Sequence, residues 1–306
     1  MKDYPIISIC IPTYKRPEIL KRTILSILSE NIDTNILDIC ITDNSKTNET
    51  KDMIDNEFAN TVNLHYKKTY CEGFMNSIEA LKYGDGVFLK LHNDYSMFKK
   101  GELRKFVNSV LSHIDDKPVL FFSMGALKKE KKIEYFSNFN DFLYDIHYYS
   151  TWSSAFCVWR RDLDNFISKN IDIDNMFPHT SILYYLTNSS SYVVDDYEYV
   201  DNLSLKKKGG YNLPDNFARI YLTMTQELLD NKIICKNTYN KIENGIIKFI
   251  AQWYSVVENH KDIYYFSFDN DERTIKKICG DYGLFKYRVY KTIYRLKEIL
   301  KKIKPV

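Results

Sequence analysis

Ile6-Ile7-Ser8-Ile9-Cys10-Ile11-Pro12-Thr13-Tyr14-Lys15-Arg16-Pro17 is the stretch whose reading decides the fold class of this chain. Its first half is apolar and β-branched, the pattern of a strand buried on both faces. Pro12 has no N–H to offer a ladder, so the strand is expected to stop there. Thr13, Tyr14 and Arg16 then fall at the carboxyl end of a strand, where open α/β sheets take their ligands. Over residues 18–29 the side chains of Ile19, Leu20, Thr23, Ile24, Ile27 and Leu28 share one helical face. A strand, a polar turn and a helix in this order suit a nucleotide.

The alternation continues downstream. Residues 37–42 read as a second strand ended by Asp43-Asn44-Ser45, and 62–66 as a third. Residues 87–91 read as a fourth strand ended by His92-Asn93-Asp94, and 119–124 as a fifth. Helical spacing fills the gaps at 50–58, 73–81 and 101–113. The fold class is therefore α/β, a Rossmann-like, mostly parallel sheet flanked by helices. Further on, 152–159 reads as a strand, 178–186 as a helix and 206–212 as a flexible basic loop. After Pro214 the pattern is helical almost to the end. The expected division is a nucleotide-binding and catalytic domain at 1–212 and a helical region at 213–306.

Three polar turns follow three of these strands and converge on one sheet edge. Asp43 can accept hydrogen bonds from a base or ribose. Asp94, with His92 two residues before it, can hold a divalent cation beside a diphosphate.

Composition bounds the rest. The chain has 306 residues, enough for one large domain with an appendage. Its six cysteines form no C-x-x-C pair, so zinc is not expected and the thiols read as reduced, as in a cytoplasmic protein. No signal peptide and no membrane-spanning run is expected. The net charge of +3 hides a basic tail: residues 286–304 carry eight Lys or Arg and one Glu, about +7. There Phe285, Val289, Ile293, Leu296, Leu300 and Ile303 form an apolar stripe flanked by cations. Such a helix suits peripheral contact of 285–304 with an anionic membrane, at the inner face of the cell membrane, or packing on the domain with a solvated basic face. Nucleic acid is not an expected partner, because the positive charge is confined to this tail.

The ordered set of residues 9–17, 41–45, Gly73 with Asn76, and the Asp94 turn resembles glycosyltransferase family 2, closest to its bacterial surface-polysaccharide members, the abequosyltransferase-like branch among them. The resemblance implies the GT-A fold and a set of roles. Pro12, Thr13, Tyr14 and Arg16 resemble the loop around the base and phosphates, Asp43 the residue that reads the base, commonly uracil, and Gly73 and Asn76 the segment beside the ribose. Asp94 resembles the last acid of the DXD metal motif, which here is written His92-Asn93-Asp94 and lacks its first acid. Asn93 and Lys208 complete the nucleotide-binding candidates, Lys208 from a loop with Lys207 and Gly209-Gly210 that could close on phosphate. For the catalytic base the family's acidic motif has no clear counterpart, and Asp174 and His179 are the candidates. Trp152 and Trp159 are candidates for stacking on a sugar. The implied activity is inverting, metal-dependent transfer (Mn²⁺ or Mg²⁺) from a nucleotide-sugar donor, UDP-sugar favoured, to a saccharide or lipid-linked glycan acceptor in capsule, lipopolysaccharide or similar synthesis. A non-catalytic nucleotide- or partner-binding subunit of the same fold is the alternative.

Overall fold

The computed structural model describes residues 5–205 and 208–303. The chain divides into two compact units, 1–142 with 149–204, and 143–148 with 205–306.

The first unit is built on a sheet of five strands. They are β1 (Ile7–Thr13), β2 (Leu37–Asp43), β3 (Leu64–Lys68), β4 (Phe88–Leu91) and β8 (Cys157–Trp159), in the order β3-β2-β1-β4-β8. The first four run parallel, and β8 closes the edge antiparallel to β4. Helices α1 (Pro17–Leu28), α2 (Glu49–Glu57) and α3 (Asn76–Tyr83) are the crossovers. The chain leaves β1 toward β2 and β3, then returns to place β4 on the other side of β1. Strand order therefore reverses between β1 and β4, and a crevice opens at their carboxyl ends. Ile7, Ile9, Ile11, Ile39, Ile41 and Phe88 pack with Leu20, Ile24 and Ile27 of α1 and with Leu103, Phe106 and Val110 of α4 (Glu102–Leu111), all essentially inaccessible to water.

Contrary to expectation, β1 runs through Pro12 to Thr13, with Pro12 paired to Thr42. The Cys10 carbonyl accepts from the His92 N–H on the β4 side at 2.9 Å, so Pro12, two residues on, also faces that side. The register with β4 ends at Cys10 and Leu91, so no ladder position needs the N–H that Pro12 lacks.

Three short strands in this unit had no sequence signal: β5 (Ser96–Phe98), β7 (Ile133–Phe136) and β10 (Val200–Asn202). β5 pairs with β10, and β7 joins β6 (Val119–Phe122) and β9 (Tyr192–Asp195) in a three-stranded sheet. The expected strand at 152–159 is shorter, because Ser153–Ala155 turn as a 3₁₀ helix before β8 begins.

In the second unit, helices α8 (Leu222–Asp230), α9 (Lys236–Asn259) and α10 (Asp271–Ile303) accompany a π-helical turn, Pro214–Tyr221. The expected flexible loop is instead strand β11 (Lys208–Asn212), paired parallel with β12 (Tyr264–Ser267). Gly209 permits it: φ is +127°, and a Cβ would sit 2.6 Å from the Phe266 nitrogen. Trp253 of α9 packs edge-on against Tyr264 and Phe266, each at 5.1 Å. Lys207 and the Lys208 side chain lie outside the described residues.

Candidate donor site at the carboxyl edge of the sheet

The three polar turns meet at the carboxyl edge of β1, β2 and β4. Asp94 sits at the crevice between β1 and β4 and is 3 % exposed. One carboxylate oxygen accepts from the Thr13 hydroxyl at 2.8 Å, and the other from Arg16 Nη1 at 3.0 Å. Its main-chain carbonyl accepts from Thr23 Oγ1 of α1 at 2.9 Å. Burial pushes the Asp94 carboxyl up; Arg16, Thr13 and the Tyr14 main chain pull it back. Tyr14 is half-exposed, with Lys15 Nζ 5.2 Å from its ring centre. Lys15 has φ +54°, so the loop turns sharply before Pro17 starts α1.

Asp43 is fully buried and saturated with donors. Ser45 donates to Oδ1 through its N–H at 2.8 Å and through its hydroxyl. On Oδ2 lie Tyr66 Oη at 3.1 Å and Lys68 Nζ at 3.2 Å, both from β3. Asn76 clamps two strand ends. Its Nδ2 donates to the carbonyls of Thr13 (3.2 Å) and Thr42 (2.9 Å), while Oδ1 accepts from Thr69 Oγ1 at 2.8 Å. Gly73, at φ +50°, opens the 3₁₀ turn that leads into α3, and its carbonyl accepts from Asn44 Nδ2 at 3.2 Å. In the sequence Thr23 is read only on the face of α1 and Ser45 only in the turn after β2, while Lys68 is not named and Tyr66 is given no role. Lys68 and Tyr66 sit two residues apart on an edge strand, which was their only signal.

His92 is turned inward. Its ring stacks on Phe98 with centroids 5.0 Å apart, and Nε2 lies 2.7 Å from the Ser96 carbonyl. That contact makes Nε2 the N–H donor and leaves Nδ1 as a buried lone pair with no partner. Burial, with Lys90 nearby, pushes the ring down to about 3. Asn93 donates to Tyr95 Oη and accepts from Ser153 Oγ, each at 3.1 Å.

The divalent cation suggested by the sequence can be tested on these atoms. Both oxygens of Asp94 are engaged, and the His92 ring is packed against Phe98. Among the described residues no three His, Cys, Asp or Glu side chains group as a metal shell. The donor set as placed does not fit a divalent cation.

Beyond β4, residues 150–154 are strapped down from several sides. Lys90, wholly buried, donates to the Leu91 carbonyl at 2.7 Å and to the Ser154 carbonyl. Burial pushes its ammonium down to about 8. His179 and Thr180, in α7 (Pro178–Tyr185), reach the carbonyls of Thr151 and Ser150, each at 3.0 Å. Burial lowers His179 to about 4, so its ring is neutral near pH 7. Asp174 Oδ1 accepts the N–H groups of Met176 and Phe177, each at 2.8 Å, which shapes the turn into α7. Trp159 is a core residue, its Nε1 donating to the Pro118 carbonyl at 2.7 Å and its ring against Phe88. Trp152 is half-buried beside Tyr149, with ring centres 5.7 Å apart.

The α/β sheet, with its polar turns gathered at the switch point, has the GT-A type of fold. Residues 8–116, about a third of the chain, match the family model of Glycosyl transferase family 2. No curated protein matches the chain in sequence. In fold it is similar to S. aureus TarS 1–349 in complex with UDP-GlcNAc, at TM-score 0.59 and 14 % identity, covering 95 % of this chain and 92 % of that one. It is also similar to the mannosyltransferase PcManGT from Pyrobaculum calidifontis in complex with GDP-Man and Mn²⁺. That match has TM-score 0.53 and 10 % identity, and covers 94 % of this chain and 87 % of the other.

Proposed function

We propose that this chain transfers a sugar from a nucleoside-diphosphate donor, a UDP-sugar in the first instance, to a hydroxyl of a bacterial surface glycan, with inversion at the anomeric carbon. One observation carries the reading. Within the family-matched segment, Thr13–Arg16, the Asp43 turn and Asp94 lie at one sheet edge and are locked to each other by Asn76 and Asp94. In this reading the Asp43 turn reads the base through the groups around its buried carboxylate, and the β1–α1 loop takes the phosphates at a helix N-terminus.

In the transfer the acceptor oxygen forms a bond to the anomeric carbon as the bond to the diphosphate oxygen breaks. The acceptor proton goes to a base, and the nucleoside diphosphate leaves with the bonding pair. Asp174 fits the base better than His179. Its Oδ1 holds the turn while the second oxygen remains to take a proton, whereas the buried His179 has its Nε2 on the Thr151 carbonyl.

Membrane contact through 285–304 remains part of the proposal, on narrower grounds than the sequence offers. Phe285, Leu296, Ile299 and Leu300 are more than half exposed. However, Lys286, Arg288, Lys291 and Arg295 are engaged by Glu243, Glu272, Asp271 and Glu258, which reduces the charge available to anionic lipid. Among the described residues no helix is long and apolar enough to cross a membrane.

The test is the melting temperature of the full chain with UDP, GDP, CDP and dTDP, followed by donor hydrolysis with the corresponding nucleotide sugar. One nucleotide should raise the melting temperature by mass action, and its sugar should be slowly hydrolysed. A shift without hydrolysis would favour the binding subunit, and no shift with any nucleotide would sink both readings.

A further inference from the structure

The mismatch between Asp94 and a cation site has a physical consequence for the donor. Asp94 does not stand free at the crevice: it holds Arg16 on one oxygen and Thr13 on the other, in a buried position. Arg16 stands at the N-cap position of α1 without a side-chain capping bond and is 39 % exposed on its side chain, so one edge of the guanidinium is anchored on Asp94 while other N–H groups remain available. Lys15, the preceding residue, is exposed.

The charges can be compared. A carboxylate with a divalent cation presents a formal charge of about one positive unit to a diphosphate. Here Asp94 with Arg16 is neutral, Lys15 adds one positive unit, the N-terminus of α1 adds about half a unit, and the exposed Glu18 of its first turn takes one unit back. The protein's own groups thus leave this loop net positive without a metal. A cation at Asp94 would have to displace Arg16 and then sit beside its charge.

We propose that Asp94 acts as the anchor of Arg16, and that Arg16 with Lys15 supplies the positive charge facing the donor diphosphate, so that the nucleotide binds without a divalent cation. This inference rests on the donor-site reading above, and its test separates the two. The binding of the nucleotide selected by the melting panel is measured calorimetrically on the full chain, once in EDTA and once with excess Mn²⁺. Affinity should agree within about twofold between the two conditions, and Arg16→Gln should weaken it roughly ten- to a hundredfold in both, as expected for a lost charged hydrogen bond. The melting temperature of the free variant serves as its folding control. Wild-type binding that Mn²⁺ tightens tenfold or more overturns the inference and leaves the donor site standing. Equal binding that Arg16→Gln does not weaken also overturns it. Absence of binding in both conditions removes the donor site and the inference together.

Discussion

Lowering the pH from 7 to 5 should destabilise this protein through His179. Its ring is buried, with Nε2 on the Thr151 carbonyl, and burial holds it at about 4 in the folded chain against 6.5 for the free side chain. Between those values the unfolded chain binds a proton that the folded chain refuses. The contribution is fully present above 6.5 and is lost as the pH falls toward 4. At 1.36 kcal/mol per pH unit, the step from pH 7 to pH 5 removes about 2 kcal/mol. His179→Gln keeps an N–H for the Thr151 carbonyl and does not titrate. Urea unfolding at the two pH values should therefore show a loss about 2 kcal/mol smaller in the variant than in the wild type. Equal losses in the two proteins, or an NMR titration of the His179 ring centred near 6.5, would refute the burial argument. A kinetic corollary follows: no limb of the pH–rate profile near 6.5 should disappear in His179→Gln.

Three further outcomes can be checked on the same protein. Asn76→Ala leaves the Thr13 and Thr42 carbonyls without their donor and Thr69 without its acceptor, so urea unfolding should show a loss of about 3 kcal/mol and nucleotide affinity should fall. Gly86→Ala would place a Cβ 2.6 Å from the Ser8 nitrogen and 2.9 Å from the Phe88 carbonyl oxygen. Backbone on both sides cannot give way, and a loss of about 2–3 kcal/mol in unfolding free energy is expected. Asp174→Asn keeps the oxygen that holds Met176 and Phe177 but removes the charge. Turnover should drop roughly a hundred- to ten-thousandfold with the melting temperature nearly unchanged; retained turnover would place the base elsewhere.

What could be read from the sequence was whatever is local. Each of the three polar turns follows its strand directly, so the apolar run over 37–42 and the polar Asp43-Asn44-Ser45 announce both the element and its end. The partners that decide what those residues do are remote. Arg16 and Thr13 meet Asp94 only because β4 is laid beside β1 after three crossovers. Asn76 reads as a residue beside a ribose, but its amide ties two strand ends that only the parallel register brings together. The short strands β5 and β10 are too brief to carry a period; each exists because the other lies across from it.

The departure at position 92 becomes intelligible in these terms. A two-acid motif is needed where a cation must be shared between carboxylates. If Asp94 instead anchors Arg16, the first acid has no cation to hold, and that position is released from the site. A carboxylate there would be buried against Phe98 and aimed at the Ser96 carbonyl, which has no proton to give it, and would be disfavoured. Histidine, neutral and flat, stacks on that ring and donates to the Ser96 carbonyl instead. Restoring the acid alone, as His92→Asp, should thus fail to create Mn²⁺-dependent nucleotide binding and should lower stability. A variant that folded normally and gained a tenfold Mn²⁺ response would show that position 92 still faces the donor.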